Sequence, residues 1–125
     1  MSPQPPGPSA SGLSDLGWVI CGGTLQTQSL LLATDKAERQ LGRPGISVYA
    51  ADLFTVAEFL VRLGPRLPQP QICVTQVAGL RCAGFEIEQT GEPPHHTLWL
   101  PLDRSRADAI QLLRVTFDAP RHRSR

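Results

Sequence analysis

The stretch from Gln71 to Pro101 constrains this chain most. Within thirty-one residues it reads strand, short helix, strand, turn, strand. QICVT (71–75) is apolar and β-branched. Gln76 to Ala83 is a short helical segment, with Thr75 placed to cap it and Gly84 to close it. FEIEQ (85–89) alternates, with Phe85 and Ile87 on one side and Glu86 and Glu88 on the other. TGEPPH turns the chain, and TLWL (97–100) returns as the partner strand before Pro101 stops it. A hairpin that buries one face needs a sheet to join and a layer to cover it. Leu98 and Leu100 share the apolar side. Trp99 falls on the other, where it is expected to look outward.

The rest of the chain supplies that sheet and layer. WVIC (18–21) is a first strand closed by Gly22-Gly23, read as a turn. Residues 24–32 are ambiguous: TLQTQ alternates as a strand would and is read as one, while QSLLLA also suits a helix, and TDKAERQL (34–41) is expected as a helix of about two turns that stops at Gly42. GISVYA (45–50) is a clear strand. In DLFTVAEFLVRL, Val56, Phe59, Leu60 and Leu63 recur at helical spacing, and Thr55 with Glu58 has the spacing of a capping box. One helix and a loop separate strands 46–50 and 71–75, enough for a crossover that would make them parallel neighbours. Ser105 caps a last helix in which Ala107, Ile110, Leu113 and Phe117 recur. The expected fold class is α+β, a single small domain with a mixed sheet of about five strands and about three helices packed on it. The expected organisation is a Pro/Ser/Gly-rich leader over residues 1–15, one domain over 16–118 and a basic tail over 119–125. A chain of 125 residues has room for one such unit and not two.

Composition excludes some functions. Eleven of the twelve basic residues are Arg and Lys36 is the one Lys. Arg121, Arg123 and Arg125 lie in the tail, so the body carries no basic face of the kind nucleic acid needs, and no nucleic-acid partner is expected. Cys21, Cys73 and Cys82 form no C-x-x-C pair. An odd count in a chain that is not cysteine-dense fits a reducing, cytoplasmic setting, with Cys73 and Cys82 as small core residues. No secretory start and no apolar run of membrane length is present, so no membrane association is expected. The phosphate-cradling glycine motifs and metal-ligand spacings are absent too, so neither cofactor nor metal is expected.

The candidate site is built around two histidines. His95 and His96 stand beside a proline turn at the entrance of strand 97–100, and a histidine there can carry a proton or contact an anion near neutral pH. As neighbours on a strand they face opposite ways. The catalytic candidates are His96, Tyr49 and Arg81. The binding candidates are His95, His96, Trp99 and Arg43. GRPGISVYAADLF, ICVTQVAGLRCAGFEIE and PPHHTLWLP resemble, in this order, segments of small bacterial proteins in which an S-V-[FY] strand, an L-R-x-x-G helix end and a P-H-x-x-x-x-x-P strand recur. The short strands and helices are also similar to those of ADP-ribosyl-transferring folds. That resemblance would cast His96 and Tyr49 as the catalytic pair of a compact transferase or hydrolase, but it lacks a placed acidic third group. The favoured expectation is a protein-binding or accessory module without catalytic activity of its own, its partner another protein met through an edge strand with Trp99 outward.

Overall fold

The computed structural model describes residues 13–52 and 55–123. The chain forms one α+β domain around a single six-stranded sheet. In chain order the elements are β1 (Trp18–Gly22), α1 (Thr27–Leu41), β2 (Gly45–Ala51), α2 (Val56–Leu63), β3 (Gln71–Gln76), α3 (Val77–Cys82), β4 (Glu86–Gln89), β5 (His95–Trp99), α4 (Arg106–Thr116) and β6 (Arg121–His122). A 3-10 turn over Gly64–Arg66 follows α2. The spatial order is β4-β5-β2-β1-β3-β6, and every neighbouring pair is antiparallel.

The expected α+β class holds, but the sheet is antiparallel throughout and not mixed. β2 and β3 are not parallel neighbours, because β1 lies between them and pairs with both. The connection through α2 therefore spans β1 rather than joining adjacent strands. Two further features go beyond the expectation. Thr27–Leu41 is one helix of fifteen residues, so the alternation of TLQTQ yields to a longer period that buries Leu30 and Thr34 against β2 and α4. At the other end, Arg121 and His122 pair with Ile72 and Gln71, so part of the expected basic tail is an edge strand. Residues 1–12 of the expected leader lie outside the described residues. Leu13 is buried in the core, and the Asp52 carboxylate accepts hydrogen bonds from the backbone N–H and hydroxyl of Ser14.

The two faces of the sheet are covered differently. On the first, Val19, Cys21, Ile46, Val48, Ala50, Cys73, Ile87, Leu98 and Leu100 pack against Leu30 of α1, Val77 and Leu80 of α3, and Ala109, Ile110 and Leu113 of α4. On the second, Ile20, Ile72 and Val74 meet Phe59, Leu60 and Leu63 of α2, with Leu67 beyond it. α2 lies over β1 and β3 on that face, with Tyr49 and Ala51 of β2 packed at its margin. Further out, over β5 and β4, side chains supply the cover. Trp99 donates to Glu88 Oε1 at 2.8 Å, Thr97 bonds Thr90, and the Arg43 guanidinium lies 5.6 Å from the centre of the Trp99 ring.

Local signals explain the helix ends. Thr55 and Glu58 make the reciprocal capping box that starts α2, and Ser105 caps α4 by accepting from the Asp108 N–H. Gly84 closes α3 at φ 98°, a conformation that only glycine adopts freely. Thr75 does not cap α3. Its hydroxyl donates to the Thr116 carbonyl at 3.1 Å, tying β3 to the end of α4. No helix among the described residues is long and apolar enough to cross a membrane.

Candidate functional site

β1 and β2 lie at the centre of the sheet, and a cavity opens at each end of the pair. At one end the two strands part. Their ladder runs from Trp18↔Ala51 to Ile20↔Tyr49 and stops there. β1 continues against β3 to Gly22↔Ile72, and β2 starts at Gly45 against Trp99 of β5. The result is a fork in the middle of the sheet, roofed by α1, with a cavity of about 560 Å3.

Two glycines flank the fork, each where a neighbouring segment passes too close for a side chain. A Cβ on Gly45 would come 2.8 Å from the Trp99 ring, 2.9 Å from the Thr97 methyl and 3.0 Å from the Leu98 carbonyl. A Cβ on Gly22 would run into the Gln69 side chain. The loop from β1 into α1 then takes two left-handed residues, Gly23 at φ 93° and Leu25 at φ 54°. For leucine that conformation costs roughly 1–2 kcal/mol. Its side chain is buried, and its carbonyl accepts from Arg114 Nε at 2.9 Å, so packing and α4 together hold the loop against the strain. Backbone strain of this kind collects at functional sites. One stripe of α1, from Ser29 through Ala33 and Lys36 to Gln40, forms the roof, and Leu25, Leu30 and Ile46 supply apolar wall.

At the opposite end, a cavity of about 440 Å3 lies between Leu13, Ala50, Phe59, Leu63, Pro94 and His96, with Asp52, Arg62 and Arg66 around it. His96 is buried at 3% exposure. Its Nδ1 lies 2.8 Å from the Pro94 carbonyl, so that nitrogen carries the proton and donates. Nε2 is left as an acceptor, sealed from solvent and without a hydrogen-bond partner among the described residues. Burial holds the His96 pKa below its ordinary value; the Pro94 carbonyl opposes this, and the charge of His95 adds to it.

The structure does not bring the expected catalytic group together. His96 pairs with Val48 on the first face, whereas Tyr49 and His95 lie on the second, their rings edge to face at 5.9 Å. The Tyr49 hydroxyl donates to the Arg66 carbonyl at 2.8 Å. Arg81 pairs with Asp15 at 2.8 Å and donates to the Leu13 carbonyl, and neither Tyr49 nor Arg81 lines the His96 cavity. Arg43 binds Glu86 at 2.9 Å and the Leu100 carbonyl at 3.2 Å. Trp99 is buried at 8% exposure and its strand is interior to the sheet, so the expected outward tryptophan on an edge strand is corrected. Arg43 and Glu88 close over it.

The thiols have no nucleophilic geometry. Cys21 and Cys73 face each other across β1 and β3. Burial, with Cys73 adding to it, pushes the Cys21 thiol up to about 12, and burial then Asp118 raises Cys73. Both therefore stay protonated near neutral pH. Cys82, expected in the core, is exposed. Among the described residues no group of three or more His, Cys, Asp or Glu gathers to hold a metal ion.

The fork is what sequence reasoning missed. Gly22-Gly23 read as a turn and Lys36 as the one lysine in an arginine-rich chain. The available signal was a double glycine at the end of a strand, but it says nothing of a gap unless β2 is known to be the neighbour. No family model, no curated protein and no solved structure matches this chain.

Proposed function

We propose that this protein is an accessory binding domain, without catalysis of its own, that takes a small organic ligand in the fork between β1 and β2. The observation that carries the reading is the end of the β1–β2 ladder at Ile20↔Tyr49 while both strands run on. It leaves about 560 Å3 between them, within the roughly 300–1,000 Å3 typical of small-molecule sites. Cys21 to Leu25 and Gly45 to Ser47 line the space, and in this reading the main-chain groups that β1 and β2 stop exchanging there meet the ligand. Such groups orient a ligand without the entropy cost of ordering long side chains.

Binding is favoured over catalysis by what the reactive groups already do. The Tyr49 hydroxyl, the Arg81 guanidinium and His96 Nδ1 are each committed to a backbone carbonyl, and the facing thiols are held protonated. A protein-partner reading keeps the outer edges of the sheet, the two-residue β6 and, longer than it, β4, which among the described residues pairs only with β5. That edge has four residues, and Glu86 and Glu88 project from it, features that discourage strand addition.

The test is a fragment screen read by amide chemical shifts. Hits should move Gly22, Gly23, Ile46 and Ser47 together and should lose that effect in Ala37→Trp, whose indole fills the cavity from the α1 side. Hits that instead cluster at Ala50, Ala51 and His96, or that bind Ala37→Trp equally well, would sink the proposal.

A further inference from the structure

We infer that the ligand of the fork is a small monoanion with an apolar body, a carboxylic acid of aryl or alkyl type. The inference rests on the fork being the binding site and names what that site selects. Among the described residues that line the cavity, Lys36 is the only charged one. Among the described residues it makes no ion pair. Its acidic neighbours on α1, Asp35 and Glu38, are both engaged by Arg106 of α4, which draws them away from the cavity. The space thus holds one uncompensated positive charge and no carboxylate. The remaining wall combines apolar side chains (Leu25, Leu30 and Ile46) with uncharged polar groups.

A ligand matching that wall carries one negative charge and enough hydrocarbon to displace water from the leucines. A dianion such as a phosphate monoester brings a second charge that nothing in the wall balances, and its desolvation would be uncompensated. A neutral hydrocarbon leaves Lys36 unused. Lys36 sits at the exposed margin of α1, so its attraction is screened by water and works as a selector more than as an anchor. Exposed pairs of this kind amount to about a two- to fivefold change in affinity.

The experiment titrates 4-phenylbutyrate and its neutral counterpart 4-phenylbutanol into wild type, Lys36→Gln and Ala37→Trp, following amide shifts. Phenylbutyrate should move Gly22, Gly23, Gly45 and Ser47 and bind about two- to fivefold tighter than the alcohol. Lys36→Gln should erase that difference by weakening the acid and leaving the alcohol unchanged, and Ala37→Trp should abolish both responses. If acid and alcohol move the same amides with equal affinity and Lys36→Gln changes neither, the charge selection is wrong and the cavity survives as a binding site. If neither compound moves those amides, the cavity reading falls and this inference with it.

Discussion

The two ends of the β1–β2 pair are made by different means. The fork end is built from what is absent, the hydrogen bonds the two strands stop sharing, while Gly22 and Gly45 let Gln69 and β5 pack close on either side of it. The His96 end is built from bulk, with Phe59 and Leu63 of α2, Leu13 and the Pro93–Pro94 turn closing round one imidazole. A cavity made by omission is held open by the backbone and keeps its shape when a side chain is added to its roof. A cavity made by bulk depends on every large side chain around it. The first suits a site that exchanges a ligand. The second is a part of the core that tolerates an imperfectly satisfied histidine.

The strongest way to break this contrast is Phe59→Ala. Phe59 is 1% exposed, and its removal should cost about 3–5 kcal/mol in urea unfolding, the usual range for a buried phenylalanine. A cost below about 1 kcal/mol would mean that the His96 end is loosely packed and the contrast empty. Next is Gly45→Val. Its Cβ would meet Trp99, Thr97 and the Leu98 carbonyl, and the last is backbone that cannot step aside. A loss of about 1–3 kcal/mol is expected; a neutral result would show that the strands flanking the fork are not held close. Thr55→Ala removes the capping box of α2 and should cost about 1 kcal/mol while leaving ligand binding at the fork unchanged, since no residue of α2 lines that cavity. Ala37→Trp should be the mildest. It adds volume to an open space, so stability should change by less than about 1 kcal/mol, mostly from helix propensity. A loss as large as that of Phe59→Ala would mean the roof is already filled.

The His96 end also makes a prediction in pH. The folded pKa of His96 lies below its ordinary 6.5, so between the two values the unfolded chain binds the extra proton. His96 therefore costs no stability above about pH 6.5 and makes the fold progressively less stable as pH falls from there to its folded value. Denaturation curves from pH 5 to 8 should show that slope in wild type and a smaller one in His96→Gln. An equal slope in the variant would assign the pH dependence elsewhere.

The helix ends show where local sequence was enough. The Thr55–Glu58 box and the Ser105 cap are local hydrogen-bonding events, so they read directly from spacing and formed as read. α1 shows the limit. Its first turn alternates like a strand, and only the packing of Leu30 and Thr34 against β2 and α4 decides for helix. The site residues fail in the same way. Alternation along β5 puts His95 and His96 on opposite faces, and that much was legible. Which of them shares a face with Tyr49 depends on the β2–β5 register, Tyr49↔His95 and Val48↔His96, which no local pattern carries. Trp99 was assigned to its proper face, but its burial under Arg43 and Glu88 required knowing that β5 is interior and which side chains reach over it.

The amino-acid order by itself determined the positions of most strands and helices, the caps and the apolar face of each amphipathic element, because those follow from contacts within a few residues. Tertiary structure alone decided that β1 sits between β2 and β3, that the central strands part at Ile20↔Tyr49, and that Lys36 overlooks the gap. The reason is one of range. Strand order and register are set by the summed packing of residues far apart in the chain, and a cavity is the place where that packing leaves off.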